Sequence, residues 1–248
     1  VAFDGFFTSH QKRNCYVFED DKTVRDFIGP IKSDYSVLHP ESPVTIGSYM
    51  NEPDLINNKY QLHLALAEAR EVIKEVFSDY EQISGRKLCT SYEYKTEDAE
   101  VLMFVLGSAF LTAKSAADKL RSEGKKVGVF SLGVIRPFFS SEIAKVCQNA
   151  KTVMVLDRQD SYGAEGGNMT HEIRSALQKN KNTVRVLSRI YGLGGKDFFQ
   201  EDAIELFNAC FNENTPEFDY FGAYSGEKAE EKQYFKRITE KDASGIIE

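Results

Sequence analysis

Short apolar runs alternate with amphipathic stretches through the second half of the chain. The runs have strand length and are almost continuous, as is typical of strands buried on both faces of a parallel sheet; they are Val101–Leu106, Val127–Leu132, Thr152–Leu156 and Val184–Leu187. Helical spacing predicts the intervening elements Ala109–Glu123, Ser140–Asn149, Asn168–Lys179 and Gln200–Phe211. Strands that alternate with helices imply right-handed crossovers. Residues 97–212 are therefore predicted to form an α/β domain with a mostly parallel, three-layer sheet.

A long amphipathic helix is predicted before this domain. Its apolar positions recur at alternating spacings of four and three, and they are Leu62, Leu66, Ala69, Ile73, Val76, Tyr80 and Ile83. This spacing puts them on one stripe of a helix that ends at Ser84-Gly85. We expect the stripe to pack against a neighbouring domain.

Three further regions complete the predicted organisation. Residues 1–18 begin with an apolar, Gly-containing segment and then turn polar, which we interpret as the end of a truncated domain. Residues 19–96 contain an ordered surface connector, broken repeatedly by proline and glycine, and then the long helix. Residues 213–248 carry aromatic residues among charges, and two interpretations stay open: a docking arm over a partner, or a partly disordered, solvated terminus.

Composition narrows the class of protein. With 248 residues, of which 42% are hydrophobic and 28% charged, the chain can bury a sizeable core. A formal net charge of −7 disfavours nucleic acid as a partner, because phosphate backbones are bound by an excess of Lys and Arg. No apolar run approaches the roughly 18 residues of a membrane span. The chain lacks an initiator Met and the basic and apolar regions of a signal peptide, so we expect a cytoplasmic protein whose front is missing.

The cysteines and histidines do not predict a metal or cluster site. Cys15, Cys89, Cys147 and Cys210 lie tens of residues apart, unlike the closely spaced ligands of iron–sulfur clusters. The four histidines are similarly dispersed. Any redox centre is therefore expected on partner subunits or domains.

The loops after the strands carry the candidate chemistry, because ligands of open α/β sheets bind at the carboxyl ends of the strands. Asp157 and Arg158 end one strand; they either orient a ligand or pair across a domain boundary. Arg136 begins the helix after another strand and either clamps an interface or binds a carboxylate or phosphate. The glycine-rich loop 163–167 offers backbone amides to an anion, although its Glu165 would repel one.

Two other glycine-containing turns favour structural roles. Gly107-Ser108 follows the first apolar run and lacks the G-x-G-x-x-G pattern of dinucleotide sites. In Tyr191–Asp197, three glycines predict positive φ angles or a close chain approach, and Asp197 is placed as the N-cap of the last helix or as an acid near its start.

Four segments together resemble one enzyme family. They are Phe3-Asp4-Gly5-Phe6-Phe7-Thr8-Ser9-His10, Ile135-Arg136-Pro137-Phe138, Leu156-Asp157-Arg158 with loop 163–167, and Tyr191–Asp197. In this order the chain resembles the alpha subunit of thiamine-diphosphate-dependent 2-oxoacid:ferredoxin oxidoreductases, and the pyruvate type in particular. The resemblance runs from about Phe3 to Phe207.

The resemblance implies a fold, an activity and partners. Residues 97–212 would be a domain similar to the transketolase C-terminal domain, and residues 1–18 the end of the domain that binds the aminopyrimidine. The complete enzyme would use thiamine diphosphate and Mg²⁺ to decarboxylate a 2-oxoacid oxidatively, with coenzyme A accepting the acyl group. Electrons would pass through iron–sulfur clusters on beta, gamma and delta-type subunits, or equivalent domains, to ferredoxin. Thr8, Ser9 and His10 would lie near the cofactor, and the catalytic carboxylate upstream of Val1.

The chain departs from the family pattern at two places. Gly133 stands where a second Arg usually precedes the Arg-Pro-Phe turn, and Phe139 where a Pro usually follows it. A role that needs paired arginines is therefore in question. A second hypothesis is a noncatalytic assembly module of the same fold in another multidomain reductase. A free-standing nucleotide-binding domain is disfavoured because the glycine fingerprint is missing.

Overall fold

The computed structural model describes residues 5, 9–12, 14–30, 38–44 and 46–224. The first half of this part contains helices α1 (Asp21–Ile28) and α2 (Asp54–Ser84), strands β1 (Ser91–Tyr94) and β2 (Val101–Val105), helix α3 (Ala109–Ser122) and strand β3 (Val127–Leu132). The second half contains helix α4 (Ser140–Val146), strand β4 (Thr152–Asp157), helix α5 (Asn168–Lys179), strand β5 (Arg185–Ile190), helix α6 (Gln200–Ala209) and strand β6 (Phe218–Tyr220).

The strands form one six-stranded sheet in the order β1-β3-β2-β4-β5-β6. Strands β2 to β6 run parallel to their neighbours, whereas β1 pairs with β3 in the antiparallel sense. The predicted α/β class and mostly parallel sheet are therefore confirmed.

Helices cover both faces of the sheet and complete three layers. Alternate residues of β2 point to opposite faces: Met103 packs with α3 and α6, while Phe104 packs with α4 and α5. Small side chains on α3, including Ala113 and Ala117, are fully buried against the first face. Every residue of β2, β3 and β4 is buried, which explains why these strands are continuous apolar runs in the sequence.

The predicted helix limits differ from the observed ones mainly at the carboxyl ends. Helix α4 ends at Val146 rather than Asn149, and α6 ends at Ala209 rather than Phe211. After Val146 the backbone amides bond to carbonyls three residues earlier, as in the bond from Ala150 to Cys147. This tighter turn satisfies the last carbonyls of a helix without extending it, and it is invisible to an apolar period. Helix α5 spans Asn168–Lys179 as predicted.

Helix α1 lies inside the segment predicted as a broken connector. The carboxylate of Asp20 caps it by accepting the backbone amides of Lys22 at 2.8 Å and Thr23 at 3.1 Å. Gly29 ends it with a φ of 72°. The cap therefore starts a short helix before the prolines interrupt the chain. Leu38 and Ile46 of the connector are 89% and 80% exposed.

Helix α2 ends at Ser84, as its apolar stripe predicts, and Gly85 follows in the left-handed conformation. Its stripe is not covered by the described part of the chain: no residue of α2 is buried, and Leu62 is 50% exposed. Tyr80 makes edge contacts with Phe18 and Phe27, so α1 and the preceding segment lie against its last turns. That α2 packs against a further domain stays a prediction, as do the four domain limits.

One predicted loop region contains a strand. Residues 213–248 were expected without a regular element, but Phe218–Tyr220 adds β6 to the edge of the sheet beside β5. Residues 225–248, which hold most of the predicted docking arm, lie outside the described residues. Among the helices that the structure describes, none is long and apolar enough to cross a bilayer.

Candidate functional site at the carboxyl ends of the strands

The carboxyl ends of β2, β3, β4 and β5 surround a cavity of about 660 Å³. Its lining includes all three residues that the sequence singled out at this edge, Arg136, Asp157 and Arg158. The other lining residues are Leu106, Ile135, Leu156, Gln159, Asn168, Met169, His171, Glu172 and Tyr191. The fold thus brings together residues from four separate loops, as expected for this edge of an open sheet.

Asp157 caps helix α5. One carboxylate oxygen accepts the backbone amide of Met169 at 2.9 Å, and the other accepts the amide and hydroxyl of Thr170 at 3.2 and 3.0 Å. The residue is only 4% exposed. Burial raises the pKa of Asp157 above its usual value, although the three hydrogen bonds oppose this shift. Asp157 therefore has a structural role inside the domain, as the cap of α5.

The cap requires a glycine at position 167. A Cβ atom there would lie 2.3 Å from the carboxylate carbon of Asp157. The amide of Gly167 donates instead to the hydroxyl of Ser188 at 3.2 Å, and that hydroxyl is 2.8 Å from the hydroxyl of Thr170. The end of the glycine-rich loop 163–167 is thus engaged in a buried network with Asp157. Anion binding by the rest of this loop stays a prediction.

Arg158 directly follows the last residue of β4. Its guanidinium carbon lies 5.1 Å from the ring centroid of Tyr191, and its side chain is exposed. Gly192 leaves room for it, because a Cβ atom at that position would lie 2.9 Å from the Nε atom. Stacking of this kind holds an arginine in place while its charge stays in contact with solvent.

Arg136 lies across the cavity from β5. Its guanidinium forms a salt bridge with Glu172 of α5, donates to the carbonyl of Ile135 at 2.9 Å and lies 5.9 Å from the ring centroid of Phe138. Helix α4 begins at Ser140, as its apolar period predicts, so the placement of Arg136 at the beginning of this helix is wrong. Proline still accounts for the break, since its ring removes an amide donor before the helix.

A smaller cavity of about 150 Å³ adjoins Arg158 on its far side. The turn after β2 and the glycine-rich segment after β5 line it, through Ser108 and Lys196. Gly192, Gly194 and Gly195 have φ angles of 65°, 67° and 79°, which confirms the predicted left-handed turn. Of the two roles predicted for Asp197, the N-cap of the last helix is wrong, whereas Asp197 does lie near the start of α6. Phe199 is the N-cap residue of α6, and its amide donates to Asp202 at 2.8 Å.

The other predicted site lies at the amino-terminal end. Thr8 falls outside the described residues. Ser9 and His10 are exposed; the hydroxyl of Ser9 donates to the carbonyl of Gly5 at 2.7 Å and lies 2.8 Å from Nδ1 of His10. Proximity of Thr8, Ser9 and His10 to a cofactor stays a prediction. In the described ranges, no group of three or more His, Cys, Asp or Glu side chains is arranged to hold a metal ion.

Two of the four cysteines lie in the core. Burial raises the pKa of Cys147 to about 12, with a further contribution from Glu93, and burial likewise raises the pKa of Cys210 to about 12. Cys15 is exposed and Cys89 half-buried, and neither is in a disulfide. The cysteines therefore differ strongly in their access to solvent, and burial keeps Cys147 and Cys210 protonated.

This difference predicts selective labelling. At about pH 8 a thiol reagent should modify Cys15 rapidly and Cys89 more slowly, because the reactive species is the thiolate of an accessible cysteine. Cys147 and Cys210 should react only after denaturation. Mass spectrometry of peptides from native and unfolded protein measures the order. Modification of Cys147 in the native protein as fast as Cys15 would contradict the burial.

Sequence reasoning missed several residues of the large cavity. Tyr191 follows β5 directly and His171 lies in the first turn of α5, so both stand where the carboxyl-edge rule applies. Tyr191 could have been predicted from its position directly after a strand, and His171 from its position near the start of a helix. The strand end itself was misjudged, because β5 continues through the polar Ser188 and Arg189 to Ile190.

Comparisons with known proteins found relatives that include the α/β domain described above. Residues 99–203 match the family model of the pyruvate:ferredoxin oxidoreductase core domain II. The chain is 35% identical over 214 residues to the pyruvate synthase subunit PorA of Thermotoga maritima, covering 86% of this chain and 54% of the relative. It is 34% identical over 180 residues to the ketoisovalerate oxidoreductase subunit VorA of Pyrococcus abyssi, covering 72% and 45%. The chain thus spans about half the length of the curated relatives it matches.

A solved structure gives a weaker match. The 2-oxoglutarate:ferredoxin oxidoreductase from Magnetococcus marinus, with 2-oxoglutarate, coenzyme A and succinyl-CoA bound, aligns over 59% of this chain and 24% of that chain. The identity is 17% and the TM-score 0.40, so the assignment depends on the sequence matches. The resemblance found in the sequence is confirmed by them: the chain is similar to the PorA and VorA subunits, and residues 99–203 match the core domain II of pyruvate:ferredoxin oxidoreductase.

Proposed function

We propose that this chain is a portion of the alpha subunit of a thiamine-diphosphate-dependent 2-oxoacid:ferredoxin oxidoreductase. The complete enzyme would convert a 2-oxoacid and coenzyme A into acyl-CoA and CO₂, and the two electrons released would reduce ferredoxin. The observation that carries this proposal is the 35% identity over 214 residues to a pyruvate synthase subunit. Pyruvate is the proposed substrate. The similarity to a ketoisovalerate enzyme subunit makes branched 2-oxoacids the first alternatives to test.

Residues 97–212 would serve assembly and the shaping of the active site rather than the chemical steps. Two features support this division of labour. Asp157, the acid at the centre of the carboxyl edge, is committed to the amides of Met169 and Thr170. The nearby acid Glu172 forms a salt bridge with Arg136. Neither carboxylate is placed to activate a cofactor by itself, so the catalytic carboxylate is expected in a part of the enzyme outside this chain.

Thiamine diphosphate and Mg²⁺ would be bound mainly by other parts of the enzyme. In the described ranges, no group of three or more His, Cys, Asp or Glu side chains is arranged to hold a metal ion. Proximity of Thr8, Ser9 and His10 to the cofactor stays a proposal that follows from the family resemblance. When bound, the cofactor would supply the carbanion chemistry that decarboxylation of a 2-oxoacid requires.

The electron carriers are proposed to lie on partners. Cys147 and Cys210 are buried singly in the core, and no disulfide or close cysteine group joins the four thiols. Iron–sulfur clusters on beta, gamma and delta-type subunits, or on equivalent domains, would therefore carry electrons to ferredoxin. The cytoplasmic location expected from the sequence stays a prediction.

The test is an anaerobic assay of the native assembly that contains this chain. Reduction of a viologen dye should require both pyruvate and coenzyme A, and removal of thiamine diphosphate and Mg²⁺ should abolish it. Restoring the cofactor and the metal to the same sample is the control for damage. If the intact assembly reduces no dye with pyruvate, 2-oxoisovalerate or 2-oxoglutarate, the noncatalytic assembly module is the correct interpretation.

A further inference from the structure

The segment after α6 runs along the edge of the sheet beside β5. We call residues 212–222 the strap; β6 (Phe218–Tyr220) lies within it. The structure describes every residue of the strap, and none of them is buried. Phe221 packs against the core but stays half-buried. Burial of apolar side chains therefore holds the strap less firmly than it holds the inner strands.

Two arginines of β5 hold the first half of the strap through its backbone carbonyls. Arg185 donates to three of these carbonyls at 2.6–3.1 Å, and they belong to Asn212, Glu213 and Thr215. Arg189 donates to the carbonyl of Pro216 at 2.9 Å. Hydrogen bonds from a charged donor are stronger than neutral ones. The arginines therefore supply much of the attachment that apolar burial does not.

Two further contacts tie the second half of the strap to loops at the carboxyl edge. The hydroxyl of Tyr220 donates to the carboxylate of Asp160, in the loop after β4. The ammonium group of Lys196, in the glycine-rich turn after β5, donates to the carbonyl of Gly222 at 3.1 Å. A Cβ atom on Gly222 would lie 2.0 Å from Nζ of Lys196, so alanine there would displace the ammonium group.

The strap thus contacts loops that border both cavities of the candidate site. Gln159, beside Asp160, lines the large cavity, and Lys196 lines the smaller one. A segment with little buried apolar surface and exposed backbone hydrogen bonds opens at a lower cost in free energy than the core to which it is attached. The strap has these properties, whereas every residue of β4 is buried.

We propose that the strap opens and closes as one unit while the rest of the sheet stays folded. The polar contacts at its two ends are then coupled, because each of them exists only while the strap lies along β5. Opening releases Asp160 and Lys196 from the strap together. Because all of these contacts lie within this chain, the strap opens whether or not the assembly oxidises pyruvate.

Hydrogen exchange of the native assembly measures strap opening through two backbone amides. The amide of Ser188 donates to the carbonyl of Glu217 at 2.7 Å, and the amide of Phe221 donates to the carbonyl of Ile190 at 2.8 Å. Both bonds join the strap to β5. Mass spectrometry of fragments that resolve the two amides should show similar protection at both, and weaker protection than in β2.

Two variants loosen the strap from opposite ends. Arg185→Gln removes the charge-assisted hydrogen bonds to its first half, and Gly222→Ala displaces Lys196 from its second half. Each variant should accelerate exchange of both amides at least about tenfold, as expected for loss of a charge-assisted hydrogen bond. The amides of β2 should keep their wild-type exchange, which shows that the sheet remains folded.

Arg121→Gln is the matched control. Arg121 also donates to backbone carbonyls, those of Lys95 and Val127, but it does so beside β1 and β3 at the opposite edge of the sheet. Arg121→Gln should therefore leave exchange at Ser188 and Phe221 unchanged.

Three results would overturn the proposal. If Arg185→Gln accelerates only Ser188 and Gly222→Ala accelerates only Phe221, the two halves of the strap open independently. If neither variant changes either amide, these contacts do not hold the strap closed in the assembly. If β2 accelerates as much as the strap, the strap opens only when the whole domain unfolds.

Discussion

Replacing Asp157 with alanine is expected to lower the free energy of unfolding by about 2–4 kcal/mol. The carboxylate accepts three hydrogen bonds, from the amides of Met169 and Thr170 and from the Thr170 hydroxyl. These bonds cap α5 at a buried position, where water cannot take the place of the lost acceptor. The loss is partly offset because the variant no longer buries a carboxylate. Chemical denaturation of the wild-type and variant proteins measures the difference.

Asp157→Asn separates hydrogen bonding from charge. An amide retains one acceptor oxygen but turns an NH₂ group toward donors that need an acceptor, so Asp157→Asn should also destabilise the protein. Because burial raises the pKa of Asp157, the folded protein holds this proton more tightly than the unfolded chain. The stabilising contribution of Asp157 is therefore greatest at low pH, and it falls as pH rises from 3.8 through the folded pKa.

The direction of this pKa shift predicts how the effect of Asp157→Asn on stability changes with pH. Asparagine does not titrate, so the stability lost in Asp157→Asn should be larger near pH 4 than near pH 7. Asp197→Ala, which changes an exposed acid beside the smaller cavity, should have little effect at either pH. A loss in Asp157→Asn that instead grows toward neutral pH would show that the hydrogen bonds outweigh burial at this carboxylate.

The interior strands of the sheet were predictable because a strand that is buried on both faces consists almost entirely of apolar residues. Val101–Val105 and Val127–Leu132 are completely buried; the first is an uninterrupted apolar run, and Ser131 is the polar residue in the second. The same reasoning failed for β5, where the sequence turns polar at Ser188 and Arg189. Ser188 is satisfied by Thr170 and Gly167, and Arg189 donates to the carbonyls of Ser188 and Pro216. Partners distant in sequence thus make polar residues suitable for a buried strand.

The edge strands were missed for a different reason. β1 has four residues and β6 has three, and every position in both strands is half-buried or exposed. Strands so short carry too few residues to establish a period of two. Their positions are set by pairing with β3 and β5, which a local pattern does not contain.

The candidate site shows the same division between local and tertiary information. The rule for open sheets placed Asp157 and Arg158 correctly at the carboxyl edge, but it does not give their partners, which are the amides of α5 for Asp157 and the ring of Tyr191 for Arg158. The two side chains therefore have different roles. Asp157 organises α5, and Arg158 contacts Tyr191 beside the cavity. Tyr191 is 33 residues further along the chain, and only the paired strands β4 and β5 bring it close.

Gly133 is the second position at which a substitution should have a large effect. Its amide donates to the carbonyl of Thr90 at 2.9 Å, which joins the end of β3 to the chain before β1. A Cβ atom on Gly133 would lie 1.9 Å from the backbone oxygen of Cys89, and a backbone atom cannot move aside as a side chain can. This close approach gives a physical reason for glycine where the family pattern has arginine.

Gly133→Ala should therefore destabilise the protein by about 1–3 kcal/mol, the usual range for overpacking, and Gly133→Arg by at least as much. Because the clash lies beside Thr90, the edge pairing of β1 should open first, so hydrogen exchange of the amides of Ser91–Tyr94 should accelerate more than that of β2. Gly5→Ala is the matched control, since a Cβ atom at Gly5 has no neighbour within 4 Å. If Gly133→Arg retains wild-type stability and exchange, the Cys89 backbone can withdraw from Gly133, and the glycine is then not required by packing.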